Sequence, residues 1–208
     1  HALGVLRMLI EKALPVSLNT LIDAAWEAEK AVPGVTDHRE ELRQFFQDRL
    51  RVMLRDAGYT TLEVDAVLAL NPEKLDELPK RLAAVRAFMA LPEAEALTAA
   101  NKRIGNILKK IEGEVPTVVN EALLAEDAEK QLFAAINDVE PKALQHFAAG
   151  EYEQMLATLA VLRGPVDSFF DNVMVNAEDP ALRATRQALL KRLYDVMNKV
   201  AEIARLAK

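Results

Sequence analysis

Positive charge in this chain is concentrated in two stretches. Residues 101–110 hold Lys102, Arg103, Lys109 and Lys110 and no acid, and residues 182–208 hold Arg183, Arg186, Lys191, Arg192, Lys199, Arg205 and Lys208 against Asp195 and Glu202. The whole chain is acidic, with 26 Lys and Arg against 32 Asp and Glu and a net charge of −6. Two basic segments in an acidic body could neutralise phosphates along a nucleic acid backbone. Each segment alone also fits a solvated helix end whose cations suit the helix dipole.

Other chemistry finds little support. The 208 residues contain no cysteine and three histidines, which removes thiol nucleophiles, iron–sulfur clusters and cysteine-ligated zinc. Seven glycines stand singly, so no phosphate-cradling glycine loop is present, and neither a nucleophile elbow nor a zinc-protease helix appears. The carboxylate pairs Glu40-Glu41, Glu93 with Glu95, Glu151 with Glu153 and Glu178-Asp179 all fall at helix starts, where acids favour the dipole. His146 sits beside Phe147 without a placed partner in the sequence. We therefore expect no catalytic residue and no metal ligand in this chain. No signal peptide is visible, and no run approaches the roughly 20 apolar residues of a membrane span.

The elements that carry these residues read as helices throughout, because apolar residues recur at helical spacing and glycine and proline act as punctuation. The spacing predicts helices from Ala2 to Leu14 and from Leu18 to Ala31. A long helix, opened by a capping box of Asp37 with Glu40, runs to Gly58. Thr60 with Glu63 caps a short helix to Leu70, and Asn71-Pro72 opens the next. Leu91-Pro92 restarts a helix bearing the first basic stretch. A helix then spans 120–137, Pro141 starts a short one, and Tyr152–Leu162 forms another. Gly164-Pro165 opens a helix holding Phe169, Phe170, Val173 and Met174. Asp179-Pro180 opens the last, expected to reach the C-terminus. The fold class is all-α, a bundle of about ten helices. Pro33-Gly34 is the expected boundary between a helical hairpin, 1–34, and a second domain, 35–208.

Within the first basic helix Ile104, Ile107, Leu108 and Ile111 make a core stripe, and Lys102, Asn106, Lys109 and Lys110 lie opposite. The cations could hold phosphates while the amide reads a base. In the last helix the stripe Leu189, Leu193, Val196, Val200 and Ile203 continues toward the N-terminus onto Arg186. That arginine either pairs with a buried carboxylate, with Asp171 and Asp179 as candidates, or projects past the core to a ligand. Phe169-Phe170 is either core or a stacking platform.

Four blocks of the chain resemble the β subunit of bacterial glycyl-tRNA synthetase. They are Ala2-Leu3-Gly4-Val5-Leu6-Arg7, Phe45-Phe46-Gln47-Asp48-Arg49-Leu50-Arg51, Ala100-Asn101-Lys102-Arg103-Ile104-Gly105-Asn106-Ile107-Leu108, and the run from Pro165 to Val175 continued by Glu178 to Arg183. The resemblance implies an all-α anticodon-binding domain of the DALR type at the end of a β subunit, similar to that of arginyl-tRNA synthetase. Amino-acid activation would belong to a separate α subunit of an α2β2, cytoplasmic enzyme that uses ATP, Mg²⁺, glycine and tRNA. No cofactor is expected in this chain, and neither a membrane nor DNA is expected as a partner. Residues 1–34 would belong to the preceding region of the β subunit.

On that basis Lys102, Arg103, Asn106, Lys109, Arg183 and Arg186 are expected to face the anticodon stem-loop of glycine tRNA, with Arg49 and Arg51 as further candidates. Glycine codons begin G-G, so the last two anticodon bases are both cytosine, and Asn106 or nearby acids would help to read them. The alternative is a non-catalytic helical scaffold for protein–protein interaction. The two basic helices are expected to lie side by side.

Overall fold

A computed structural model describes residues 1–207. Lys208, the last cation of the second basic stretch, lies outside the described residues. Among them are ten α-helices and no strand, and no helix is long and apolar enough to cross a membrane. The chain divides into two compact units, His1–Leu82 and Ala83–Lys208. The boundary expected after Gly34 does not coincide with this division: Gly34 lies in an interhelical loop of the first unit.

The first unit holds α1 (Ala2–Glu11), α2 (Leu18–Glu29), α3 (Arg39–Asp56), α4 (Thr61–Leu68), a 3₁₀ turn at Leu75–Glu77 and the start of α5 (Leu78–Met89). Both α1 and α2 pack on α3, which buries Phe46, Leu50 and Leu54 at four-residue spacing. The capping box of Thr60 and Glu63 forms: Glu63 N–H donates to Thr60 Oγ1 at 3.2 Å, and Thr60 N–H to the Glu63 carboxylate at 2.7 Å. The one expected from Asp37 and Glu40 does not. His38 is the N-cap of α3 without a side-chain bond, because Asp37 is engaged by Arg39, whose backbone N–H donates to it at 3.1 Å and whose Nε donates at 3.0 Å.

Gly58 ends α3 in the left-handed conformation, φ 92°. Two backbone bonds close that end, Tyr59 N–H to Leu54 C=O and Gly58 N–H to Arg55 C=O. Helix α1 stops earlier than Pro15 by the same device, with Leu14 N–H on Leu9 C=O and Ala13 N–H on Ile10 C=O. Here the left-handed residue is Ala13, φ 47°. Asn71-Pro72 opens no helix; Asn71 is itself left-handed, φ 47°, and α5 begins at Leu78.

The second unit holds α6 (Ala94–Leu108), α7 (Asp127–Ala148), α8 (Tyr152–Leu159), α9 (Arg163–Asn172) and α10 (Pro180–Met197), with 3₁₀ turns at Glu121–Leu123, Ala160–Leu162 and Ile203–Leu206. Helix α7 packs on α8, α9 and α10, and α6 packs on α9, α10 and the last 3₁₀ turn. The helix expected over 120–137 starts at Asp127 and runs 22 residues. It passes through Pro141, which opens no helix of its own. The ring costs one backbone bond, and burial of Leu132, Ile136, Val139 and Ala143 on either side of it carries the helix through. Helix α9 ends at Asn172, so Val173 is extended and Met174 is 74% exposed rather than core. Asp179 caps α10, accepting from Ala181 N–H at 2.7 Å and Leu182 N–H at 3.1 Å, and Pro180 takes the first helical position. Helix α10 stops at Met197 instead of reaching the C-terminus, yet Val200 and Ile203 beyond it are buried.

Candidate nucleic-acid interface

Helix α6 faces inward with Leu97, Asn101 and Ile104, which are buried at helical spacing. The same rotation leaves Lys102, Arg103, Asn106, Lys109 and Lys110 exposed. Among the described residues no carboxylate comes within 4.0 Å of Lys102, Lys109 or Lys110. Arg103 lies over Phe170, its guanidinium carbon 4.2 Å from the ring centroid. Phe170 in turn meets Phe169 edge-on at 5.5 Å. The two phenylalanines thus differ in role: Phe169 is fully buried core, and half-buried Phe170 carries an arginine.

Helices α6 and α10 lie side by side. The close approach is at Gly105, where a Cβ would sit 3.2 Å from the Tyr194 ring. Burial, with the nearby Glu202 carboxylate, pushes the Tyr194 phenol above its ordinary range. Buried Asn101 reaches α10 through Met197 Sδ at 3.9 Å. The end of α6 and the first turns of α10 border a groove of about 600 Å³, lined by Lys110, Glu112, Glu114, Asn176, Arg183 and Gln187 among others. Arg183 is half-buried there and donates one guanidinium N–H to Ala177 C=O at 3.1 Å.

Arg186 turns inward, away from any ligand. Its Nε donates to the Glu129 carboxylate, and its Nη1 donates to Met174 C=O at 2.6 Å. Both side chains are buried. The partner is therefore Glu129, which lies 57 residues away in sequence, and neither Asp171 nor Asp179. A buried guanidinium with its charge met cannot also hold a phosphate, so the expected RNA contact at Arg186 is corrected to a structural one. Further along, Lys191 pairs with Asp195 at 2.5 Å, Arg192 with Glu140, and Arg205 with Glu202 at 2.6 Å. Most of the positive charge of α10 is thus answered by acids, and the basic surface comes from α6 with Arg183.

Arg49 and Arg51 belong to the first unit. Arg49 is exposed and stacks over Phe45 at 5.1 Å. Arg51 lies 3.6 Å from Asp48 and 3.7 Å from Asp65. The residues that sequence reasoning passed over are Glu112, Glu114, Asn176 and Gln187. The acid–glycine–acid loop directly after the basic helix was the available signal for the first two. No group of three or more His, Asp or Glu among the described residues could hold a metal ion.

Residues 97–204 match the family described as DALR anticodon binding domain, and residues 1–69 match the glycyl-tRNA synthetase beta subunit family. The glycine–tRNA ligase beta subunit of Leptothrix cholodnii is 60% identical over 207 residues, covering 100% of this chain and 29% of that relative. The protein of the same description from Thiobacillus denitrificans is 53% identical over 208 residues, again 100% of this chain and 29% of the relative. The chain therefore spans 29% of the length of these curated relatives.

Proposed function

We propose, from the premise that the chain belongs to the DALR anticodon-binding family in the form carried by glycyl-tRNA synthetase β subunits, that its second unit holds the anticodon stem-loop of glycine tRNA. The observation that carries this reading is the outer face of α6. Lys102, Arg103 and Lys109 stand exposed without a carboxylate partner beside Asn106, in a protein whose net charge is −6. The ammonium groups of Lys102 and Lys109 take phosphates, the Arg103 guanidinium is pre-set by Phe170 to take a phosphate or stack on a base, and Arg183 extends the same basic surface.

The chain supplies tRNA positioning to a glycine–tRNA ligase. Activation of glycine with ATP and Mg²⁺ falls to other parts of that enzyme, reached through the remainder of the β subunit and the α subunit of an α2β2, cytoplasmic assembly. A protein-contact reading is favoured for the first unit by exposed Leu3, Met8 and Val52, with Leu3 and Val52 bordering an apolar groove of about 480 Å³.

A binding titration against glycine tRNA and its anticodon C→U variants tests the reading. The double substitution Lys102→Ala, Lys109→Ala should weaken binding at least about tenfold, alike for every tRNA, because phosphate contacts carry no sequence information. Undiminished binding by the double variant would show that another face is used. Equal binding of all anticodon variants by the unaltered chain would exclude anticodon reading.

A further inference from the structure

We infer that the groove between the end of α6 and the start of α10 receives a single cytosine of the anticodon, with Glu112 and Glu114 as the groups that tell it from uracil; this rests on the anticodon-binding reading above. Some charges elsewhere in the second unit are matched within the protein, Lys142 with Asp138 at 2.8 Å, Arg163 with Asp167 at 3.5 Å, Lys191 with Asp195 at 2.5 Å, and Arg186 with Glu129 in the core. Those on the α6 face, Lys102, Arg103 and Lys109, are unmatched by an acid among the described residues but are of one sign. The groove is different. Lys110, Glu112, Glu114, Asn176 and Gln187 all line it, and among the described residues none of these side chains makes a hydrogen bond or an ion pair. Arg183 uses one N–H on Ala177 C=O and keeps its other donors. Acceptors and donors therefore stand together with their capacity unused, walled by the apolar Ile107 and Pro116.

The mixture of signs selects the kind of group that fits. Two carboxylates repel a phosphate, so the backbone of the RNA belongs on the Lys102 and Lys109 face and a neutral base belongs in the groove. Cytosine presents one amino donor beside two acceptors, N3 and O2. A carboxylate accepts and never donates, so Glu112 and Glu114 match the cytosine amino group and repel the O4 carbonyl that uracil places there. Lys110 and Arg183 supply donors for N3 and O2, and the amides of Asn176 and Gln187 complete either side. The groove volume of about 600 Å³ admits a base with part of its sugar.

The test uses this chain with glycine tRNA transcripts carrying cytosine, or a single C→U change, at each of the last two anticodon positions. The unaltered chain should prefer cytosine by about tenfold or more at one of these positions. Glu112→Gln with Glu114→Gln should cut that preference to about threefold or less, since an amide can meet either base, and leave the other position unchanged. Gln187→Leu, which alters no charge, should reduce the preference at the same position. All three residues are at least partly exposed, and circular dichroism checks that the variants fold. If the double Gln variant binds both RNAs more tightly by one common factor, the acids act only as bulk charge and the pocket is overturned, while the anticodon reading stands. If the unaltered chain is indifferent to both changes, the anticodon reading falls and takes this inference with it.

Discussion

Arg186 and Glu129 show how one residue's role turns on where its charge is met. Glu129 gives one carboxylate oxygen to Arg186 and the other to the backbone N–H groups of Ala125 and Glu126, at 2.8 and 2.9 Å. Arg186→Met leaves that carboxylate buried and unpaired, and should cost about 3–5 kcal/mol in urea unfolding. Adding Glu129→Gln should recover most of the loss, because the amide oxygen still accepts from the backbone and no charge remains. At the surface, Arg39 holds the Asp37 carboxyl down to about 2 through side-chain and backbone hydrogen bonds. A carboxylate depressed in the folded state stabilises it fully above its ordinary pKa of 3.8 and loses that contribution as pH falls through about 2. An NMR titration should show Asp37 ionised down to about pH 2, and Arg39→Met should return it toward 3.8.

Helix ends separate what local sequence signals from what tertiary context decides. The box at Thr60 and Glu63, the cap at Asp179 and the stop at Gly58 were legible, since each is set by residues within one turn. Ala13 carried no such mark. It adopts the left-handed conformation that glycine favours, φ 47°, at a cost of about 1–2 kcal/mol for a residue with a Cβ. Ala13→Gly should therefore raise stability by about 1 kcal/mol, read as a higher urea midpoint with an unchanged slope. Pro141 misled for the opposite reason. Proline is a local stop signal, and only the burial of side chains on both sides of it, a long-range fact, carries α7 through. The expected partners of Arg186, Asp171 and Asp179, were sought close in sequence, whereas the carboxylate that meets it comes from a distant helix.

Charge is distributed over the molecule in a way that composition conceals. Counting cations marked α6 and α10 alike, yet α10 directs most of its charge at neighbouring acids and α6 does not. The side-by-side placement of the two helices was expected from their shared charge and the resemblance, and α6 does pack on α10; the division of labour between them was not legible, because it depends on which acids fold against them. With three cations on the proposed phosphate path, Lys102, Arg103 and Lys109, log affinity should fall against log salt with a slope of about −2, at about −0.7 per phosphate neutralised. Removing Lys102 and Lys109 together should flatten that slope by about 1.4, which a titration from low to physiological salt would resolve.

Glu129 binds the opening turn of α7 and the shaft of α10 through one carboxylate, and Arg186 and Arg183 tether the Met174 and Ala177 carbonyls of the connector leading into α10. Rolling α10 would unpick the first turn of α7 at the same moment. The α10 side of the groove is therefore a fixed jaw, and in the proposed complex the adjustment of fit falls to the RNA.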